Sequence, residues 1–192
     1  MNERGSRGRG ERAGLTKAAV IKAVIEASRA SESRGVSVRA LASTLAVDPM
    51  AVHYWFKGRD SLLDAAANKV LGATVQVGSG PDWESNFREF AYSLWRVVAD
   101  HPGLEWCYRN LSELPAVENL EISVAAALKD SGLRARDLSN ASETLLSLAI
   151  SLGSGPDDLQ NAHFRSALGL LIDGLKMRAL ERRVAAGEHW DA

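Results

Sequence analysis

Apolar residues recur along most of the chain at three- and four-residue intervals, and the alternation that a half-buried strand needs is missing. Val20, Ile21, Val24 and Ile25 fall on one face of a first helix, which Thr16 can cap and Gly35 can end. Val38, Leu41, Ala42 and Leu45 stand at i, i+3, i+4 and i+7 behind Ser37, the N-cap of a second helix. Asp48 then caps a short third helix that runs to about Phe56, with Pro49 at the first helical position, where its missing N–H is harmless. Asp60 caps a fourth helix through about Gln76. Further helices are expected near 82–100, 103–112, 116–131, 135–152 and 158–186, separated in part by His101-Pro102-Gly103 and by Gly132. The pentapeptide Gly-Ser-Gly-Pro-Asp occurs at 78–82 and again at 153–157. It lacks the Lys-Ser/Thr of a phosphate-binding loop, so both copies read as punctuation between helices. The pattern predicts an all-α chain of two domains, 15–77 and the larger 78–192, behind an N-terminal arm, 1–14.

Composition narrows the class. With 192 residues, 46% hydrophobic and 24% charged, the chain can bury a sizeable core unaided. The single cysteine, Cys107, excludes an internal disulfide. No stretch reaches the roughly 20 apolar residues of a membrane helix, and the first twelve residues have no apolar centre of the signal-peptide kind. The expected place is the cytoplasm, with no membrane partner. His53, His101, His163 and His189 are scattered without metal-ligand spacing, and no nucleophile-elbow sequence occurs. No metal, cofactor or catalytic residue is therefore expected. Net charge is only -1, but residues 1–76 carry 12 Lys+Arg against 7 Asp+Glu, whereas the remainder carries 11 against 17. Such asymmetry suits an anionic partner for the first part alone; scattered surface charge would give it too.

Three helices in about 45 residues, the second and third joined by a tight turn, form the pattern of a helix-turn-helix. Val52, Trp55 and Phe56 are the apolar set that can seat the third helix on the first two. Met50, His53, Tyr54 and Lys57 lie on its other side, a stripe with one cation, two hydrogen-bonding rings, a thioether and no acid. That set suits a major groove lined by phosphates; the competing reading is an ordinary solvated face. The arm has two readings as well. Arg4, Arg7, Arg9 and Arg12 interleave with glycines, giving either a solvated tail or a segment that settles on phosphate.

The run from Leu45 to Leu63 resembles the helix-turn-helix signature of the tetracycline-repressor family. Leu45, Val47, Phe56, Lys57 and the Leu62-Leu63 pair carry the match, and 18–23 with 36–42 resemble the family's first two helices. The resemblance covers residues 15–65. It implies a homodimer in which each subunit has a DNA-binding domain and a larger helical domain for a small effector. By position, Lys57 would meet phosphate, Tyr54 and Ala51 would face bases with Met50 beside them, and Ser37 and Arg39 would meet the backbone or a nearby base. The chain departs from the family pattern at Ala46, where glycine is usual, and at three positions of the third helix. His53 stands where tyrosine is preferred, Trp55 where histidine is common, and Ala51 where threonine usually donates. His53 can still donate from a ring nitrogen, but Ala51 can at most touch a thymine methyl.

After residue 80 the resemblance narrows to Phe164–Leu175, which is similar to the last-domain stretch of the same family, with Ala167 in place of its first glycine. From Ala167 to Leu175 the helix is apolar nearly all round, broken only by Asp173. Leu168, Leu171, Ile172 and Leu175 can face their own domain, leaving Gly169, Leu170 and Gly174 for another neighbour. With Leu145, Leu148 and Leu152 they would form a four-helix dimer interface; a helix wholly buried in a monomer is the alternative. Trp83, Phe87 and Phe90 form an aromatic stripe, followed by Trp106, Tyr108 and Asn110. These six would line a pocket for a small, mainly apolar effector, or simply fill the core. The sequence thus reads as a dimeric regulator bound to a palindromic duplex operator, and most simply as a repressor released by its effector. A helical protein-interaction module and a small helical enzyme are its rivals.

Overall fold

The computed structural model describes residues 15–30, 36–74, 78–109, 115–153 and 158–186. The arm, Gly35, Asn110 and most of the second Gly-Ser-Gly-Pro-Asp copy lie outside the described residues. Among those described, every regular element is helical: α1 (Lys17–Ala30), α2 (Val38–Thr44), α3 (Pro49–Trp55), α4 (Arg59–Thr74), α5 (Trp83–Asp100), a 3-10 turn (Pro102–Leu104), α6 (Glu105–Arg109), α7 (Ala116–Ala127), α8 (Ala135–Leu152) and α9 (Asp158–Ala185). The segment expected as one helix over 103–112 is instead a 3-10 turn and a short helix. Pro102 sits in the first turn, where the chain tightens before α6 begins. The helix expected to reach 131 gives way to a turn after Ala127, with Asp130 and Gly132 both at positive φ.

Contacts divide the chain into two compact units, one within Met1–Val70 plus His101–Leu111, the other within Leu71–Asp100 plus Ser112–Ala192. The division falls inside α4, ahead of the boundary expected near 77, and the 3-10 turn with α6 joins the first unit.

In the first unit α1 packs on α2 and on the 3-10 turn, and α2 packs on α3. Val20 and Val24 are buried on α1 as the periodicity predicts, with Ser28 one turn further. The Ser28 hydroxyl donates to the Ile25 carbonyl at 2.7 Å, which removes the penalty of burying it. The turn between α2 and α3 needs a left-handed residue, and Ala46 supplies it at φ 52°. The tetracycline-repressor pattern places glycine there, and a Cβ in this region strains the backbone. Ala46→Gly is therefore expected to raise stability by up to about 1 kcal/mol, read from urea unfolding. A destabilised variant would show that the turn carries no strain.

In the second unit α8 packs on α5, α7 and α9, and α5 also packs on α7 and α9. Phe87, Phe90, Leu94, Leu145, Phe164 and Leu168 are fully buried there. The Phe164 ring stacks on Trp95 at 5.4 Å and meets the edge of Tyr92 at 5.7 Å. The Trp95 Nε1–H donates to the Leu152 carbonyl at 3.0 Å, so the indole closes the end of α8. Gly153 follows at once. A Cβ there would strike the Ala149 carbonyl and Val98, so glycine lets the end of α8 lie against α5. No helix among the described residues is long and apolar enough to cross a membrane.

Candidate nucleic-acid interface

Two N-caps fix the helix-turn-helix. The Ser37 hydroxyl accepts from the Ala40 N–H at 3.5 Å, and the Asp48 carboxylate accepts from the Met50 N–H at 2.7 Å. The Arg59 Nε–H donates to the Val36 carbonyl at 3.2 Å, tying the start of α4 to the residue before the Ser37 cap. On α3, Val52 is buried, and so is Phe56 just beyond its end, with the Lys17 ammonium 5.4 Å from the Phe56 ring centre. Trp55 is only half-buried and sets its ring edge-on to Tyr54 at 5.1 Å; its indole N–H is buried without a hydrogen-bond partner among the described residues.

The opposite face of α3 is open. Met50 is 66% and Tyr54 53% exposed, and His53 and Lys57 are exposed beside them. Ser37, Arg39, Met50 and His53 come together around a cleft of about 650 Å³, which Val36, Val38, Pro49 and Arg59 complete. The charged groups lining this cleft are both arginines, with no carboxylate among them. Arg59 was not singled out from the sequence. Its signal is a cation directly after the Lys57-Gly58 turn, one helix away from the others. Ala51 is less open than its expected role implies: it is 6% exposed, with Val52 buried next to it. At one residue before Val52 its short side chain is drawn under the helix, while Met50 and Tyr54 flank it outside.

The residues expected around an effector are divided between the units. Phe87 and Phe90 are core side chains of the second unit with no free surface, whereas Trp83 at the start of α5 is half-buried and lines a cleft of about 620 Å³ with Ala179, Leu180 and Lys176. Trp106 and Tyr108 belong to the first unit; Trp106 is exposed and Tyr108 buried. Tyr108 lies in the core because α6 turns that face inward, and its hydroxyl has no hydrogen-bond partner among the described residues. Burial also pushes its phenol above the ordinary range.

Cys107, next to it, is buried, and burial together with the Asp64 carboxylate pushes its thiol up to about 12. The thiol therefore stays protonated well above the pH at which an unfolded cysteine ionises. Two outcomes follow from that sign. Native chain at pH 8 should react with Ellman's reagent far more slowly than urea-unfolded chain, and stability should fall as pH rises from about 9 toward 12. Equal labelling rates in the two states would contradict the burial of this thiol.

The residues expected at a dimer interface also separate. Leu145 is wholly buried in its own unit, on the face of α8 that meets the core, and is unavailable to a second chain. Leu148 and Leu152 are half-buried. Leu170 and Gly174 are exposed on α9, and among the described residues nothing beyond the local helix approaches within 4 Å of a Cβ built at Gly169 or Gly174. Leu170, Met177 and Val184, spaced by seven, are 73%, 56% and 64% exposed. The last two were missed in the sequence because they lie beyond the continuous apolar run, although the seven-residue spacing from Leu170 marks them.

A helix-turn-helix at the start of the chain, followed by a separate all-helical unit, is the architecture of the tetracycline-repressor fold, and the chain has that fold. BioQ of Mycobacterium smegmatis superimposes with a TM-score of 0.68 at 21% identity, over 85% of this chain and 99% of that one. A BioQ structure holding its double-stranded DNA operator gives 0.69 at 22% identity over the same shares. ActR of Streptomyces coelicolor, a TetR family protein seen in complex with (S)-DNPA, gives 0.71 at 17% identity, over 86% of this chain and 98% of that one. In sequence the chain is similar to an HTH-type transcriptional repressor of Mycobacterium tuberculosis, 24% identical over 152 residues, 77% of this chain and 53% of the relative. The chain thus spans about half the length of the curated relatives it matches. No protein-family model matches it. The resemblance read from residues 15–65 is borne out in the fold, and the all-α class with it.

Proposed function

We propose that the chain is a DNA-binding transcriptional regulator, a repressor that acts as a homodimer and leaves its operator when a small effector binds the second unit. One observation carries the proposal: the outward face of α3 presents Met50, His53 and Tyr54, with exposed Lys57 in the turn just beyond its end, beside a cleft whose charged groups are Arg39 and Arg59. Cations and neutral donors around one exposed helix, with no acid among them, fit a phosphate-lined groove. The repressor relatives and the operator-bound BioQ support this reading. The site of action is then the cytoplasm, where the DNA is, and the reading includes no catalytic step.

Two copies would join through α8 and α9, with Leu170, Gly174 and Met177 at the centre and Leu148 and Leu152 at the flank. Such a dimer sets two α3 helices at successive major grooves, about 34–36 Å apart, which is why the operator should be palindromic. The effector, small and mainly apolar, would settle against Trp83, in a cleft whose size suits a drug-sized molecule. Linkage between effector and DNA of about 1–3 kcal/mol would shift operator occupancy about 5–150-fold.

Lys57→Ala is expected to weaken binding to every duplex alike and to flatten the dependence of affinity on salt by about one charge. Tyr54→Ala should instead weaken the operator more than random DNA, with base discrimination falling by about 1–3 kcal/mol. Fluorescence anisotropy over a salt series measures both. Unchanged affinity in two folded variants would remove α3 from the interface.

A further inference from the structure

The second half of the chain is acidic, yet its cations are not spread evenly: residues 77–192 hold 11 Lys+Arg, and six of them line two adjoining clefts that share Arg182. The second of these clefts, about 370 Å³, is bordered by four arginines, Arg134, Arg136, Arg178 and Arg182, with Asn140 beside them. Its carboxylates do not cancel that charge. Asp137 is taken by Arg178 at 3.3 Å, and among the described residues lining the cleft Glu181 is the one other carboxylate against Arg134, Arg136 and Arg182.

Helix electrostatics explain only one of the four arginines. Arg182 stands in the last turn of α9, where a cation complements the helix dipole. Arg134 and Arg136 stand at the opposite kind of end. Arg134 is the N-cap of α8, and Arg136 lies in its first turn. There the dipole disfavours cations, and an arginine offers no acceptor for the free N–H groups; the cap makes no side-chain hydrogen bond of its own. Only Asp137 reaches back, accepting from the Arg134 N–H at 3.4 Å. Two arginines that work against their own helix, placed beside two from the last three turns of another, are explained by an anion between them. Arg182 already gives one donor to the Gly132 carbonyl, which orients its guanidinium and leaves further donors for such a ligand.

From this arrangement we infer that the cleft between the start of α8 and the end of α9 is a binding site for a small molecule bearing phosphate or several carboxylate groups. Guanidinium groups pair bidentately with such oxyanions, and Asn140 supplies a neutral donor. This site adjoins the Trp83 cleft, with which it shares Arg182, and has no residue in common with the proposed DNA-binding face.

The test is calorimetric titration of the full chain with inorganic pyrophosphate and with citrate, at ionic strength held constant with potassium chloride. Saturable binding of one anion per chain is expected, with a matching rise in melting temperature. Arg134→Gln combined with Arg136→Gln should weaken it at least tenfold while leaving the melting temperature of the free chain unchanged or higher, because both changes relieve the start of α8. Lys57→Ala should leave the anion affinity unchanged. Absence of saturable binding by either anion would overturn the proposal, as would equal affinity in the double variant. Capture on phosphatidylserine vesicles, without any response to the free anions, would overturn it in favour of a membrane surface.

Discussion

Gly174→Trp is expected to leave the chain folded, convert it to a monomer, and abolish tight DNA binding. The local structure separates these effects. Gly174 is exposed on α9, and among the described residues nothing beyond its own stretch of helix lies within 4 Å of a Cβ built there, so the indole finds open space beside it. Removing a glycine from a helix interior also favours the helix by a few tenths to about 1 kcal/mol. The indole would, however, fill the space that the proposed second copy must enter beside Leu170 and Met177. A monomer presents one recognition helix to one half-site, and operator affinity should fall toward the non-specific level, about 10³-fold or more. Light scattering coupled to size exclusion reads the assembly and anisotropy reads the DNA. A wild-type chain that is monomeric at micromolar concentration would remove the interface from the account. A dimeric Gly174→Trp variant with full affinity would move it elsewhere on the unit.

Phe164→Ala should have the largest effect on stability. Its ring is completely buried, stacked on Trp95 and edged by Tyr92, at the place where α9 meets α5. Truncation removes the burial of a large ring and leaves a cavity that Trp95 cannot close, since its indole is tethered to the Leu152 carbonyl. The expected loss is about 3–5 kcal/mol. For a chain of this length that corresponds to a fall in melting temperature of roughly 6–20 °C. A loss below about 1 kcal/mol by urea unfolding would show that the aromatic cluster is loosely packed. Exposed Trp106, in the first unit, should tolerate alanine by comparison.

The helical framework was legible because its signals are local. Ser37, Asp48 and Pro49 mark the helix starts through chemistry that needs no tertiary partner, and both cap hydrogen bonds are made. The expected boundaries of α5, α8 and α9 fall within two residues of those observed. Failures occur where neighbours decide. Periodicity cannot tell an apolar residue that meets its own core from one that meets a second chain, so Leu145 and Leu170 looked alike although one is buried and the other open. The family resemblance sets Ala51 where a threonine usually faces outward. Methyl and hydroxyl differ in what they seek, and the inward turn of α3 at that position is set by packing around Val52. An aromatic stripe does not reveal whether it encloses a cavity, and Phe87 and Phe90 fill the space themselves. Arg59 escaped notice because its link to Val36 spans 23 residues of sequence, a distance at which no local pattern speaks.

The central claim is that α3 of a paired chain reads duplex DNA, and selection from a pool of random duplexes by the purified chain tests it most directly. The account predicts recovery of a palindrome whose half-sites lie about one helical turn apart, with enrichment lost in Tyr54→Ala. A pool that stays random after repeated rounds at low salt would contradict it.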